Sequence, residues 1–271
     1  MPELPEVETT CKGIRPYLVG NTITDVIVRE SQLRWRIPDD LPRTVSGLQI
    51  QSVTRRGKYC LLNTDTGSVI LHLGMSGNLR IVNALDFPKK HDHVDFIFKN
   101  NAVLRFNDQR KFGAVLWAHG DVMTHALLKD LGPEPLTAEF NGDYLFFRAT
   151  ARKMPIKTFI MDGHIVVGVG NIYASESLFM AGLLPTRSAG SVSLEEYQTL
   201  AAVIKIVLQR SIDQGGTTLR DFLNAEGKPG YFSQSLSVYG RAAMPCYQCQ
   251  NLIQQIKIGQ RASYFCPVCQ K

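Results

Sequence analysis

The sequence predicts an α+β protein of more than one domain, and three observations predict it. Short apolar or alternating runs separated by turn residues occupy positions 22–118, helical spacing takes over beyond position 135, and two Cys-x2-Cys pairs close the chain. At 271 residues the chain exceeds a comfortable single core. Its 44% hydrophobic and 20% charged residues are ordinary for a globular protein, and no run approaches the roughly 18 apolar residues of a membrane span. No membrane partner is therefore expected. Charges stand where an export signal needs an apolar core, which predicts a cytoplasmic location. A net charge of +6 favours a polyanionic partner without identifying one.

The chain opens Met1-Pro-Glu-Leu-Pro-Glu-Val-Glu8. Val7, Cys11, Ile14 and Leu18 recur at three- and four-residue spacing, giving a helix with one apolar face that ends near Gly20. Removal of Met1 turns Pro2 into a secondary amine with a pKa near the α-amino range of about 7.7–8.0. The positive end of the helix lowers that value further. Glu3 and Glu6 place carboxylates within reach of the amine, a combination suited to a masked aldehyde. The same residues also suit a plain acidic first turn.

Strands are predicted at Ile23–Val28, Lys58–Asn63, Ser68–Leu73, Val94–Phe98, Ala102–Phe106 and Phe112–Trp117, which together read as an antiparallel β sandwich or barrel. A short helix is predicted over Asp121–Leu131, broken by Gly132-Pro133-Glu134-Pro135. Further helices are predicted at Tyr144–Lys153, Ile156–Met161, Ile172–Ala181 and Leu194–Gln214, the last opened by a Ser193/Glu196 capping box and stopped by Gly215-Gly216. The turn Val167-Gly-Val-Gly170 leads to Asn171, a good N-cap, where exposed N–H groups can bind a phosphate or simply form a tight turn.

Four of the six cysteines lie from residue 246 onward. Cys246 with Cys249 and Cys266 with Cys269, 16 residues apart, match a four-thiolate zinc ribbon. Four thiolates fill the tetrahedral shell and leave no place for a catalytic water, so one structural Zn2+ is expected. Between the pairs, Ile253–Ile258 and Ala262–Phe265 read as a hairpin with Gly259-Gln260-Arg261 at its tip. Cys11 and Cys60 fall on apolar faces and are expected to be buried thiols.

Several motifs together resemble one family, the bacterial formamidopyrimidine-DNA glycosylases. They are Pro-Glu-Leu-Pro-Glu-Val-Glu at 2–8, Arg-Arg-Gly-Lys-Tyr at 55–59, His-Leu-Gly-Met-Ser-Gly at 72–77, Lys-His-Asp-His at 90–93, Asp-Gln-Arg-Lys-Phe-Gly at 108–113, Gly-Val-Gly-Asn-Ile-Tyr at 168–173 and the cysteine finger. The resemblance implies an N-terminal β sandwich with a leading helix, a C-terminal helix–two-turn–helix module and a zinc-ribbon finger. The implied activity is a DNA glycosylase and abasic-site lyase that removes 8-oxoguanine and formamidopyrimidines from damaged double-stranded DNA.

Carried over position by position, the resemblance makes Pro2 the nucleophile, Glu3 the general acid and base, and Glu6 a supporting carboxylate. Lys58 contacts phosphate near the lesion and assists the lyase steps. Arg261 is assigned to the last elimination, where a guanidinium with a pKa above about 12 positions phosphate better than it donates a proton. Met75, Arg110 and Phe112 match the residues that fill the space left by an everted nucleotide. Glycine-flanked placement favours that role over core packing for Met75 and Phe112. His91, Arg152, Asn171 and Tyr239 complete the expected DNA contacts, and Thr217 and Thr218 fall in the loop expected to cap the lesion.

The implied division is a catalytic domain at 1–131, a linker at 132–142, a helical DNA-binding domain at 143–235 with its lesion-capping loop at 215–235, and the finger at 236–271. A monomer, working in the bacterial cytoplasm and on the nucleoid when bound to DNA, is expected. Two alternatives stand beside this reading: a noncatalytic zinc-finger DNA-binding protein, and an endonuclease VIII-like glycosylase for oxidised pyrimidines.

Overall fold

The structure, a computed structural model, describes residues 2–216 and 236–271. The lesion-capping loop expected at 215–235, with Thr217 and Thr218, lies outside the described residues apart from Gly215 and Gly216. The chain forms two compact units, one running to Lys129 and including 214–216, the other covering 130–213 and 236–271. No described helix is long and apolar enough to cross a membrane.

The first unit is a β sandwich with a leading helix. Helix α1 (Leu4–Leu18) buries Val7, Cys11, Ile14 and Leu18 on one face, the spacing that predicted it, and Leu4 with them. Strands β1 (Ile23–Val28), β6 (Asp92–Phe98), β7 (Ala102–Asn107) and β5 (Asn78–Asn83) form one antiparallel sheet in the order β1-β6-β7-β5. Strands β2 (Ser52–Arg56), β3 (Tyr59–Asn63), β4 (Gly67–His72) and β8 (Ala114–His119) form the other, in the order β2-β3-β4-β8. Apolar side chains from both sheets, from α1 and from the short helix α2 (Leu41–Val45) meet in one core that includes Val53, Leu62, Leu71, Phe96, Phe106 and Val115. Cys11 and Cys60 are buried in it, as expected of inert thiols; the neighbouring Cys11 and burial push the Cys60 thiol well up.

The second unit is helical and ends in the finger. Helices α3 (Gly142–Ala149), α4 (Ile156–Met161), α5 (Asn171–Met180) and α6 (Leu194–Asp213) follow one another, and β9 (Gln254–Ile258) pairs antiparallel with β10 (Arg261–Phe265). The predicted capping box opens α6: the Ser193 N–H donates to Glu196 Oε2 at 2.8 Å, and the Glu196 N–H donates to Ser193 Oγ at 3.2 Å. The finger is sewn to the end of α5. Lys271 N–H donates to the Gly182 carbonyl, Leu184 N–H to the Lys271 carbonyl, and Gln270 Nε2 to the Leu183 carbonyl at 2.7 Å.

Five expectations are corrected. Asp121–Leu131 is not a helix: only the 3-10 turn Val122–Thr124 forms, capped by Asp121, because Leu128 alone of that stretch's apolar residues is fully buried and a short helix without a buried face does not hold. Lys58 does not lie on a strand but in the two-residue turn Gly57-Lys58 between β2 and β3, where Gly57 takes φ +55°. Phe112 precedes β8 rather than starting a strand, because Lys111 at φ +56° turns the chain and the Asp108 carboxylate captures the Gly113 N–H. Asn171 is the first helical residue of α5 and not its cap; Gly170 takes the cap position. Arg261 is the first residue of β10, paired with Ile258, leaving Gly259-Gln260 as the tip.

Candidate active site and nucleic-acid interface

In the first unit, Glu3 is the N-cap of α1 and Glu6 its third residue, and each side chain takes the other's backbone N–H. Glu3 N–H donates to Glu6 Oε2 at 2.8 Å. Both carboxylates are buried, Glu6 completely, and Pro2 is buried beside them. A capping box satisfies two backbone N–H groups reciprocally at a helix start. Here it fixes two carboxylates and the residue before them in one orientation at the positive end of a 15-residue helix. Behind it, Arg55 bonds Glu8 at 2.8 Å and the Gly57 carbonyl at 3.0 Å, tying the turn that carries Lys58 to α1. Gly216 packs against Glu6, so that a side chain there would meet Glu6 Oε1 at 3.2 Å.

His72, at the end of β4, belongs to one of the quoted motifs but drew no role from the sequence. Burial, then Lys58 and Arg34, pushes its imidazole down to about 4. Its Nδ1 accepts the Gly74 N–H at 3.1 Å, which leaves the ring proton on Nε2. A neutral donor thus sits beside a lysine at the edge of the sandwich. The next residues form the turn that carries Met75, which is half-buried. Gly74, at φ +60°, lies against the Phe112–Gly113 peptide, and a Cβ there would stand 2.4 Å from the Phe112 carbonyl carbon. The Met75 and Phe112 turns are therefore in direct backbone contact. Phe112 is 42% exposed, and the Arg110 guanidinium stands over its ring with Cζ 4.9 Å from the centroid. His91, at φ +71°, accepts the Asp108 N–H on its carbonyl, and its ring lies 6.1 Å from that of His93.

In the second unit, the contacts around Asn171 are set by a buried lysine. Lys157, 1% exposed, extends Nζ to Asn171 Oδ1 at 2.6 Å, Ser263 Oγ at 2.7 Å and the Ala262 carbonyl at 3.1 Å. Asn171 Nδ2 donates to that same carbonyl at 3.0 Å. Asn171 and Arg261 are thereby brought within one residue of each other. The Tyr239 ring meets Tyr264 of β10 edge-on at 5.0 Å, and Glu176 accepts the N–H groups of Ser237, Val238 and Tyr239 at 2.8–2.9 Å. Burial raises the Glu176 carboxyl, against the pull of those three N–H groups and of Arg241. Arg152 stands apart: it is exposed, and its carbonyl is held by Gly190 and Ser188. Sequence reasoning missed Lys157 and Glu176. Each is a charge within an apolar helical stretch, and that was the available signal.

The Sγ atoms of Cys246, Cys249, Cys266 and Cys269 all lie within 4.8 Å of one another, with Cys246 and Cys269 at 3.9 Å and Cys249 and Cys266 at 3.4 Å. A tetrahedron of thiolates about 2.3 Å from zinc has sulfurs about 3.8 Å apart. The four cysteines fit one structural zinc ion, with every coordination position supplied by the protein. The ion would hold the hairpin's two ends together and has no open position for chemistry.

The comparisons agree with this geometry. Residues 1–115 match the formamidopyrimidine-DNA glycosylase N-terminal domain, residues 131–223 the H2TH domain of the same enzymes, and residues 245–271 a zinc finger found in FPG and IleRS. The formamidopyrimidine-DNA glycosylase of Hydrogenovibrio crunogenus is 54% identical over 271 residues, covering all of this chain and 97% of that one. That of Photobacterium profundum is 55% identical over the full length of both. A solved complex between the Lactococcus lactis Fpg and an abasic site containing DNA superimposes with a TM-score of 0.92, at 31% identity and 99% coverage of both chains. Fold and finger thus define a zinc-finger DNA glycosylase of the helix–two-turn–helix class. The chain belongs to the formamidopyrimidine-DNA glycosylase family.

Proposed function

We propose that this protein excises oxidised purines, 8-oxoguanine and formamidopyrimidines, from duplex DNA and then cleaves the strand, with Pro2 as nucleophile. The observation that carries the reading is the buried Glu3–Glu6 capping box, which holds two carboxylates beside Pro2 at the head of α1 in a chain of this family. Once Met1 is removed, the Pro2 nitrogen lone pair attacks C1′ and the bond to the damaged base breaks. Glu3 supplies the proton that opens the sugar at O4′, and Glu6 holds Glu3 in place. The resulting iminium acidifies the C2′ proton; its loss expels the 3′ phosphate, and a second elimination expels the 5′ phosphate.

Lys58 and Arg261 position phosphates in these steps. His91, Arg152, Asn171 and Tyr239 add backbone contacts that set register without reading sequence. Met75 and Phe112 fill the space of the everted nucleotide, and Arg110 bonds the orphaned base. Thr217 and Thr218 belong to the loop that closes over the lesion. The protein works as a monomer in the bacterial cytoplasm, on the nucleoid when bound to DNA. Its catalytic domain is 1–131 and its finger 236–271, with the linker at 132–142.

Borohydride trapping on a duplex containing 8-oxoguanine tests the reading, with intact mass measured before and after. The expected result is a protein lacking Met1 that gains one covalent DNA adduct, which peptide mass mapping places on the N-terminal Pro2 peptide. A Met-processed protein that binds the duplex without forming an adduct would sink the proposal in favour of a noncatalytic DNA-binding protein.

A further inference from the structure

We infer that Asp108 is a positioning residue for the glycosylase step, holding Met75, Arg110 and Phe112 ready for the space an everted nucleotide leaves. The inference rests on the role proposed above for those three residues. Asp108 is completely buried. Its Oδ1 accepts the Ser76 hydroxyl at 2.8 Å and the Arg110 N–H at 3.2 Å, and its Oδ2 accepts the Gly113 N–H at 2.7 Å. Ser76 follows Met75, and Gly113 follows Phe112. One carboxylate therefore fixes a group on, or directly beside, each of the three residues.

The backbone of Asp108 extends the same knot. Its N–H donates to the His91 carbonyl at 3.1 Å, and its carbonyl accepts His93 Nε2 at 2.8 Å and the Lys111 N–H at 3.3 Å. Ser76 Oγ also receives the Arg110 N–H, at 3.2 Å. Burying a carboxylate is costly unless charge-assisted hydrogen bonds offset it, and here every named donor to the carboxylate belongs to one of the two turns. An exposed phenyl ring and an exposed guanidinium on unsupported turns would have to be ordered during each encounter with DNA. Fixing the turns beforehand removes that cost from the base-eversion step. The hydrogen bonds named for Asp108 run to the two turns and to His91 and His93, so its loss should separate base eversion from the chemistry at Pro2.

The test uses the full-length chain with Asp108→Ala, Asp108→Asn, Ser76→Ala and, as a reference, Phe112→Ala. Two rates are measured: single-turnover excision of 8-oxoguanine from duplex at saturating enzyme, and borohydride trapping on a single-stranded oligonucleotide carrying an abasic site, which leaves no void to fill. Asp108→Ala is expected to slow duplex excision about 100-fold while single-strand trapping stays within about 3-fold, the scale of a reacting group misplaced by about 1 Å. Asp108→Asn should recover most of the loss, because the amide oxygen still accepts and Ser76 can rotate to accept from the amide nitrogen. Ser76→Ala should fall between. Stacking of a 2-aminopurine placed next to the lesion should be disturbed by the parent protein and less so by Asp108→Ala.

If Phe112→Ala slows duplex excision but folded Asp108 variants do not, the positioning role is wrong and the role of Phe112 stands. If Phe112→Ala itself leaves duplex excision unchanged, the underlying reading fails instead. Equal loss of both rates in Asp108→Ala would make Asp108 merely structural and overturn the inference. Should Asp108→Ala not fold, Asp108→Asn and Ser76→Ala decide: no duplex-selective loss in either overturns it.

Discussion

The two units hold the residues proposed to contact DNA in different ways. In the first, Lys58, Met75 and Phe112 lie on turns between strands whose side chains share one continuous core, and buried carboxylates at positions 6 and 108 secure the turn and helix ends. In the second, the packed cluster beneath the finger is small, formed by Phe179, Val238, Cys246, Ile253 and Cys266. Its geometry depends on polar pins: four thiolates, Lys157 and Glu176. Truncating one side chain of a large apolar core costs about 2–5 kcal/mol but leaves the surrounding packing to hold the fold. A structure held by a few polar pins loses much, because each pin leaves unsatisfied partners behind.

The largest expected effect follows from removing the metal. Structural zinc sites supply about 10–16 kcal/mol of apparent binding free energy in small fingers at neutral pH, more than a small cluster can replace. Chelation or Cys249→Ser should unfold the β9–β10 hairpin and abolish duplex binding. Both tryptophans, Trp35 and Trp117, belong to the first unit, so their emission reports that unit alone. It should remain native through chelation. Simultaneous loss of the tryptophan signal and of DNA binding would break the contrast between the units.

Lys157→Met comes next. It keeps the apolar stem but removes the donor to Asn171, Ser263 and the Ala262 carbonyl; about 1–3 kcal/mol for each group left unsatisfied, partly offset by the Asn171 bond to Ala262, gives a loss of about 2–4 kcal/mol. Duplex affinity should fall with an unchanged salt slope, since a buried lysine neutralises no phosphate. Arg261→Ala should instead lower the slope of log K against log salt by about 1. Equal slopes for the two variants would mean that Arg261 makes no phosphate contact.

The sequence was most informative where apolar spacing decides the structure. The face of α1 and the α4 limits Ile156–Met161 were readable from spacing alone, and the cysteine spacing placed the finger. Strands β2 and β5 escaped notice because both are edge strands with one main buried apolar residue each, Val53 and Leu79, and so show no apolar run. The candidate residues were readable as motifs, but their positions were not. Asn171 looked like a cap, yet glycine takes that role and frees the amide for the hairpin. Lys58 and Phe112 looked like strand residues, yet turn geometry and a buried carboxylate set them outside the ladders. Long-range polar pins such as Lys157, bonded to a residue 106 positions away, leave no periodic trace in a sequence.

A sharper test, of an effect that appears only in acid, lies in the first unit. His72 has an ordinary pKa of 6.5 when unfolded and about 4 when folded, so the native state binds fewer protons between those values. Its contribution is complete above pH 6.5 and declines as pH falls toward 4, at up to about 1.4 kcal/mol per pH unit. Tryptophan-monitored unfolding of the parent should weaken over that window relative to His72→Asn, whose side chain does not titrate. A constant difference between them would mean that the imidazole is not held neutral.

The smallest effect lies in the second unit and shifts the acid window. Arg187 grips Glu196 with both nitrogens, at 2.6 and 2.8 Å, and with the Ser193 N–H this draws the Glu196 carboxyl down to about 2. A carboxylate with a depressed folded pKa stabilises fully above its ordinary value of 4.5, and that stability is lost as pH falls through about 2. The pair is partly solvated, so screening limits its worth to about 0.5–1 kcal/mol. Glu196→Gln should therefore lower the melting temperature of the helical unit slightly at pH 7 and by clearly less at pH 2. Because the His72 window lies above the Glu196 window, mild acid should weaken the tryptophan-reported unit before it reaches this pair. A Glu196→Gln deficit that disappears already at pH 5 would place the loss on some other carboxylate and remove that ordering.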